Sequence, residues 1–567
     1  MTTLPPDIAD AAKAWLTEDP DQKNVSELGT LIDRAEAGDL VAGAEIQDRF
    51  GQSLAFGTAG LRGAMSAGPN RMNRVVVARA AAGLSAYLLE CAAGSYRPRV
   101  VIGYDARHNS ARFAHDSAAI MTAAGIEVLM LSQARPTPVL AFAVQRLEAE
   151  AGVMVTASHN PAIDNGYKVY LGGRMVAAHE RGAQIVEPHD RRIAEKIAQV
   201  GRYSSIRRAD GWTTLAPTRI EGYLSQAVRR ALPGGSRDLS IVYTPMHGVG
   251  KEVALAALQR AGFHDVHVVA EQADPDPEFP TVPFPNPEEP GALDLAIQAA
   301  VERHADIIIA NDPDADRCAV AVPTHDGEFR QLSGDEVGSL LGWYIARGMS
   351  DEDKRAGVFA NSIVSSRQLA AIAAAADISH RETLTGFKWI SRVKNLVFGY
   401  EEALGYCVDP ESVRDKDGIS TAVLIADLAA ELDNEGLALL DVLDELAAQH
   451  GVHLTQPVTI RVEDLSRIHE LLRKVAAEPP AELAGSPVTE IIDLAAGSTD
   501  LPPTPGFRYL TEDNSRVIIR PSGTEPKLKC YLEVVEQLSG DRLAEARATA
   551  AKRLRLLVND VEEMLGV

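Results

Sequence analysis

Apolar runs that stop abruptly at short polar loops are the feature that most restricts how this chain can fold. The sharpest case is Val153-Met-Val-Thr-Ala-Ser158-His159-Asn160-Pro161. Its apolar part reads as a buried strand, and Asn160-Pro161 reads as a turn. Ile307-Ile-Ile-Ala310 runs in the same way into Asn311-Asp312-Pro-Asp314-Ala-Asp316-Arg317, and Leu396-Val-Phe-Gly-Tyr400 into Glu401-Glu402. Strand-like runs alternate with helix-length segments, which predicts α/β units with mainly parallel sheets and helices on both faces. In such sheets ligands bind outside the carboxyl ends of the strands. Ser158 is placed at such an end.

At 567 residues the chain is long enough for three to five domains. The pattern divides it into four units, 1–216, 217–327, 328–452 and 453–567. The first opens with a polar, Ala-rich helical extension to about residue 50. Phe56-Gly-Thr-Ala-Gly-Leu-Arg62-Gly63 then reads either as a plain turn or as a loop that lets an arginine approach an anion. Strands are expected at Arg99–Asp105, Gly125–Leu131, the Ser158 run and Tyr167–Tyr170. In the second unit, Asp274-Pro-Asp-Pro-Glu-Phe-Pro through Pro290 holds too many prolines for a helix or a central strand, so it is either a lid or an inert surface loop. A helix opens at Gln331-Leu-Ser-Gly-Asp in the third. The fourth mixes strands and helices in a different order.

Charge and cysteine use narrow the function. The net charge of −23 argues against nucleic-acid or anionic-membrane partners, while local arginines and lysines can still focus a small anion. The four cysteines show no paired spacing, so neither a disulfide framework nor a zinc site is expected, and a reducing cytoplasm fits. Neither a signal peptide nor an apolar run of membrane-spanning length is expected.

Three loops carry chemistry. Asp312, Asp314 and Asp316 sit at every second position, where one helix face cannot hold them but a loop can turn all three onto a hard divalent cation. An EF-hand is excluded, since Arg317 stands where glycine is needed and Pro323 where a bidentate glutamate is needed. Arg520-Pro-Ser522-Gly523-Thr524-Glu-Pro-Lys-Leu-Lys529 offers a guanidinium, two hydroxyls, a glycine and ammonium groups, a set that suits a phosphate dianion. Glu401 and Glu402 read either as a solvated turn or as acceptors for sugar hydroxyls. Together they describe a phosphoryl-transfer site: Ser158 carries or accepts the group, the aspartates hold Mg²⁺ against it, and the Arg520 loop grips a second phosphate.

Thr156-Ala-Ser-His-Asn-Pro, Asp312-Pro-Asp-Ala-Asp-Arg317, Glu401-Glu-Ala-Leu-Gly and Arg520-Pro-Ser-Gly-Thr-Glu-Pro resemble, in order, the four signature loops of the α-D-phosphohexomutases. The resemblance covers nearly the whole chain. It implies three similar mixed α/β domains and a distinct α+β C-terminal domain around a central cleft. It also implies a resting phosphoserine at Ser158, Mg²⁺ bound by Ser158 and the three aspartates, and a sugar bisphosphate as intermediate and activator. The roles it implies are acid/base or charge-stabilising for Lys168 and Arg317, a neighbour of the serine for His159, and a phosphoserine contact for Arg62. Thr385 and Gly386 would shape the sugar site, with Lys388 and Lys416 beside it. Phe56-Gly-Thr-Ala-Gly-Leu-Arg-Gly-Ala-Met, Tyr104-Asp-Ala-Arg-His-Asn-Ser, Met246-His-Gly-Val-Gly, Gly386-Phe-Lys-Trp-Ile and Asp415-Lys-Asp-Gly resemble the phosphoglucomutase-2/phosphopentomutase branch. Ala403 stands where many hexomutases have serine, and Gly405 where some bacterial ones have histidine, so glucose or mannose specificity does not carry over directly.

The expected activity is therefore a mutase moving phosphate between C1 and C6 or C5 of an aldose phosphate. Lys168, with a lowered pKa, would move the hydroxyl proton. The competing readings are a phosphomannomutase, a sugar-bisphosphate synthase with an external donor, an aspartyl-phosphate phosphatase with Asp312 as nucleophile, and a non-catalytic sugar-phosphate-binding regulator. The expected partner is a small sugar phosphate. Oligomeric state is not legible in the sequence.

Overall fold

The structure, a computed structural model, describes residues 4–57, 60–216, 220–231, 237–462, 465–499, 501–521, 527–538, 540 and 542–566. The chain forms two compact units: residues 1–331 with 405–427, and residues 332–404 with 428–567.

The first unit begins with three helices, Pro6–Trp15, Gln22–Glu36 and Leu40–Phe50. Asp21 and Asp39 cap the second and third by accepting first-turn N–H groups. Ile8, Trp15, Leu28, Ile32, Ile46 and Phe50 give this extension its own core. A seven-stranded sheet follows. Ala151–Val155 lies at its centre, parallel to Arg99–Tyr104, which pairs in parallel with Glu127–Leu131, and that with Thr213–Leu215. On the other side Asp164–Leu171 runs antiparallel to Ala151–Val155, and Leu61–Ala64 antiparallel to it in turn. The reversal follows from chain length: the link 156–163 is too short for the crossover that a parallel pair needs. Leu61–Ala64 belongs to the segment that reads as a turn or anion loop in the sequence.

The helix Arg74–Ala92 corrects the expectation of no membrane-length apolar run. Its 19 residues are long and apolar enough to cross a membrane, yet 67% of its apolar stretch is buried in the protein. It is apolar nearly all round because sheet and neighbouring helices enclose it. At Gly83 it meets the helix His189–Ala198, where a Cβ would lie 2.5 Å from Ile197 Cγ1 and 2.7 Å from its backbone nitrogen.

A second sheet in this unit has the order Phe329–Gln331, Ala319–Pro323, Ile307–Ala310, Ile241–Thr244, Val266–Val268. The last three strands are mutually parallel, and the first two pair antiparallel. Residues 274–290 carry no helix or strand, as the prolines require. The segment 405–427 is tied into this unit by Tyr223, whose hydroxyl donates to Asp417 Oδ1 across 2.8 Å, and by Arg237, 2.6 Å from Asp427.

In the second unit, Ser379–Thr383, Val358–Ser362 and Leu396–Glu401 lie side by side and parallel. The helix Gly334–Gly348 opens on a capping box between Ser333 and Glu336. A six-stranded sheet follows, in the order Val452–Arg461, Lys527–Glu536, Arg516–Pro521, Phe507–Thr511, Ser486–Asp493, Glu482–Leu483, with every pair antiparallel. The helices Leu465–Ala477 and Leu543–Leu565 contribute Ile468, Leu471, Val475, Leu557 and Val561 to its core. The C-terminal part is thus antiparallel α+β, unlike the mainly parallel sheets before it.

Candidate active site

Two strand ends of the first unit meet at Ser158. The wholly buried strand Ala151–Val155 ends at Thr156, whose Oγ1 accepts the Ser158 N–H at 2.9 Å. Ser158 then turns through a left-handed backbone, φ 54°. Its Oγ donates to Asp312 Oδ2 at 3.0 Å, and His159 Nδ1 lies 3.3 Å from the same Oγ. On the other side Ile307–Ala310 delivers the aspartate loop. Asn311 Nδ2 donates to Arg317 O at 2.6 Å, the Arg317 N–H to Asp312 Oδ1 at 3.0 Å, and Ala315 takes a left-handed φ of 54°. The loop is packed so closely that a Cβ on Gly248 would lie 2.3 Å from Pro313 Cα.

Asp312, Asp314 and Asp316 are fully buried, and one oxygen from each lies within 4.8 Å of the others. Three carboxylates at this depth repel one another. Burial first, and then Asp314 and Asp316, push the Asp312 carboxyl well above its usual range. Burial would push Asp314 and Asp316 up too, but Lys168 outweighs it at both, helped by Thr137 at Asp314 and by Lys416 at Asp316. Lys168 Nζ is 2.8 Å from Asp314 Oδ2 and 3.0 Å from Asp316 Oδ2, and Lys416 Nζ is 3.3 Å from Asp316 Oδ2. Asp314 Oδ1 and Asp316 Oδ1 are buried and accept no hydrogen bond. Buried carboxylate oxygens without donors are costly, and a hard divalent cation is what such an all-oxygen set fits.

Lys168 departs from expectation. Its ammonium is buried, which alone would lower its pKa, but Asp314 and Asp316 raise it. These two carboxylates favour its charged form, the opposite direction from the lowered pKa expected of it. Burial, and then Arg317 and Arg62, hold His159 well below the ordinary histidine range. Arg62 reaches from the edge strand to Asn160 Oδ1 at 3.1 Å. Arg317 pairs with Glu288 at 3.2 Å.

The remaining candidates belong to the second unit. Gly386 has φ 102° and opens the short helix Phe387–Ile390, with Thr385 before it and Lys388 within it. Glu401 ends a strand. Glu402 Oε2 accepts from Ser362 Oγ at 3.0 Å and Ser365 Oγ at 2.9 Å, so it is an oriented acceptor rather than a loose surface charge. Arg520 and Lys529 face each other in register on paired strands. Ser522, Gly523 and Thr524 lie outside the described residues.

Two polar partners of the site escape a sequence reading. Thr137 Oγ1 donates to Asp314 Oδ2 at 2.6 Å, and Asp415, fixed by Tyr170 and Gln184, lies 3.6 Å from Lys416 Nζ. Only Asp415 carries a signal, its place in the Asp415-Lys-Asp-Gly string.

Four family profiles match consecutive stretches of the chain. They are phosphoglucomutase/phosphomannomutase alpha/beta/alpha domain I over residues 53–203, domain II over 222–327, domain III over 333–450, and the C-terminal domain over 458–550. The chain is 48% identical to a protein of Haemophilus influenzae named "Probable phosphomannomutase", over 82% of this chain and 93% of that one. It is 34% identical to the Homo sapiens phosphopentomutase, over 92% and 90%. In structure it is similar to a phosphoglucomutase/phosphomannomutase family protein of Burkholderia thailandensis, with a TM-score of 0.65 and 20% identity, covering 89% of this chain and 98% of that one.

Proposed function

The chain belongs to the phosphoglucomutase/phosphomannomutase family, and on that premise we propose how its phosphosugar mutase activity is divided among its residues. Ser158 carries the phosphoryl group. Asp312, Asp314 and Asp316, with Ser158, hold a divalent cation, for which Mg²⁺ suits an all-oxygen set beside a phosphate. The observation that carries this reading is the 3.0 Å contact of Ser158 Oγ with Asp312 at the edge of a buried carboxylate cluster that keeps two oxygens without donors.

When bound, the cation would neutralise charge on the transferring group. The chain's own residues supply the rest. The phosphorus–Oγ bond breaks, a bond to a sugar hydroxyl oxygen forms, and that hydroxyl's proton passes to the freed Ser158 Oγ, while the Lys168 ammonium and the Arg317 guanidinium balance negative charge and Arg62 faces the phosphoserine. Thr385, Gly386, Lys388, Glu401 and Glu402 orient the sugar. Arg520, Ser522, Gly523, Thr524 and Lys529 bind its other phosphate, and Lys416 holds Asp316 in place. The product of the first transfer is a bisphosphorylated aldose, which turns over and returns its other phosphate to Ser158.

Peptide mass analysis should find phosphate on Ser158. Ser158→Ala should abolish turnover with Mg²⁺ present, and full activity of that variant would overturn the assignment. Release of inorganic phosphate as the main product would instead favour Asp312 as nucleophile. Comparing kcat/KM for ribose 1-phosphate, glucose 1-phosphate and mannose 1-phosphate assigns the aldose.

A further inference from the structure

The Ser158 loop has a keeper that none of the signature loops contains. Arg107 follows the strand Arg99–Tyr104, and its side chain is 1% exposed. Nη2 donates to Ser158 O at 2.7 Å and Asn160 O at 2.6 Å, while Nη1 donates to Pro161 O at 2.8 Å and Asp164 O at 3.2 Å. One guanidinium therefore gathers four main-chain carbonyls from one turn of chain. Its charge is balanced by Asp105, 3.4 Å from Nε, and Asp105 is itself fixed by Ser110 Oγ at 2.6 Å and by the Arg107 N–H at 3.0 Å.

The cation is covered by the proline-rich segment. Phe279, itself 4% exposed and left-handed at φ 46°, lies with its ring centroid 4.9 Å from the Arg107 guanidinium. Beside it Glu278 meets His108 Nε2 at 2.5 Å. The segment is anchored from below: the Asp276 N–H donates to His247 O at 3.0 Å, and Thr281 Oγ1 is bound by His247 and Gln272. Further along, Glu288 pairs with Arg317, which ends the aspartate loop. The same segment thus touches the keeper of the serine loop and the end of the metal loop.

We propose that Arg107, sealed by Phe279, is a positioning residue for phosphoryl transfer, holding Ser158 in the left-handed backbone that aims its Oγ at Asp312. A non-glycine residue stays left-handed only where its surroundings over-determine it. Thr156 satisfies the Ser158 N–H, so the carbonyl side of the turn is what needs holding. Five N–H donors in a rigid fork can do this, and the three donors of a lysine on a flexible stem cannot reach four separate carbonyls. Arg107 bonds the main chain of Ser158 and none of the oxygens assigned to the metal or to the reaction, so its effect must pass through the placement of Ser158. Misplacement of a reacting group by about 1 Å costs roughly 100-fold in rate.

This inference rests on Ser158 as the phosphoryl carrier, and the experiment separates the two. Wild type, Arg107→Lys, Phe279→Leu and a remote destabilised control, Leu554→Ala, are compared for Ser158 phosphate by mass, kcat, KM and Tm. Absence of phosphate on wild-type Ser158 would overturn the carrier reading itself. With phosphate present, R107K should lose about 10–100-fold in kcat with KM within about threefold, F279L should lose about 3–10-fold, and L554A should lower Tm with kcat unchanged. Equal kcat in folded R107K, F279L and wild type overturns the positioning role, as does a loss matched by L554A at equal Tm. Should R107K fail to fold, F279L alone decides on the same terms.

Discussion

Thr137 donates its hydroxyl hydrogen to Asp314 Oδ2 across 2.6 Å, and its N–H donates to the carbonyl of the same residue at 2.9 Å. The start of the helix Thr137–Arg146, beside the first sheet, therefore orients a carboxylate delivered by the second, leaving Asp314 Oδ1 as the oxygen that could meet a cation. Thr137→Val keeps the shape and removes the hydroxyl. Loss of such an outer partner typically costs 10–100-fold in metal affinity, so the Mg²⁺ concentration giving half-maximal activity should rise by about that factor. An unchanged Mg²⁺ titration would show that Asp314 needs no such support.

Metal removal should be visible as stability. Without a cation, Asp312, Asp314 and Asp316 repel one another at zero exposure. A ligand at 100 times its Kd stabilises the folded state by about 2.7 kcal/mol. Saturating Mg²⁺ should thus raise Tm over the EDTA-treated protein, read by calorimetry. Asp312→Asn with Asp314→Asn should remove most of that shift.

Glu533 is the buried hub of the second unit. It receives Arg516 Nη2 at 3.0 Å, Arg367 Nε at 2.7 Å, Ser366 Oγ at 2.9 Å and His453 Nδ1 at 3.2 Å. Burial alone would raise its pKa, but Arg516, His453 and Arg367 prevail and hold the carboxyl well below the usual glutamate range. A depressed carboxylate contributes stability above its unfolded pKa, about 4.3, and that contribution is lost as pH falls through the folded value. Glu533→Gln leaves the buried Arg516 and the half-buried Arg367 short of a counter-charge and should cost about 3–5 kcal/mol, measured by urea unfolding near neutral pH.

Asp335 should behave in the opposite sense. It accepts from the Ser366 N–H at 2.7 Å, Tyr400 at 2.9 Å and Thr455 at 2.8 Å, yet burial pushes it up to about 6. A raised carboxyl binds its proton more tightly when folded. Its stabilising contribution is complete below about pH 3.9 and declines as pH rises to about 6, by roughly 3 kcal/mol in all. Asp335→Asn should flatten that decline. Urea midpoints taken between about pH 4 and pH 7 would reveal it, and identical slopes in both proteins would exclude it.

What was legible in the sequence follows one physical rule: a feature shows when its cause is local. Val153–Val155 is apolar because it is a central strand, and Ser333-Gly-Asp-Glu336 starts a helix because it satisfies its own first N–H groups. Leu61–Ala64 stayed hidden, since its pairing with Asp164–Leu171 depends on residues about a hundred positions away. Lys168 was legible as a site residue but not as a raised one, because its charge state is set by Asp314 and Asp316 from another sheet. No membrane-length apolar run was expected, yet Arg74–Ala92 is one, and only its surroundings show that it is buried in protein.

Residue types alone set the chemistry on offer, a serine at a strand end, three alternating aspartates and a basic turn with one arginine and two lysines, because those groups carry their reactivity wherever the chain puts them. Only the tertiary structure decided which of them act together. Ser158 and Asp312 are 154 positions apart and meet across 3.0 Å. Arg107 and Phe279 acquire a role only where the carbonyls of the Ser158 turn converge on one guanidinium. Burial then sets the energies, since taking the aspartates and Lys168 out of water turns ordinary charges into a site that could hold a cation.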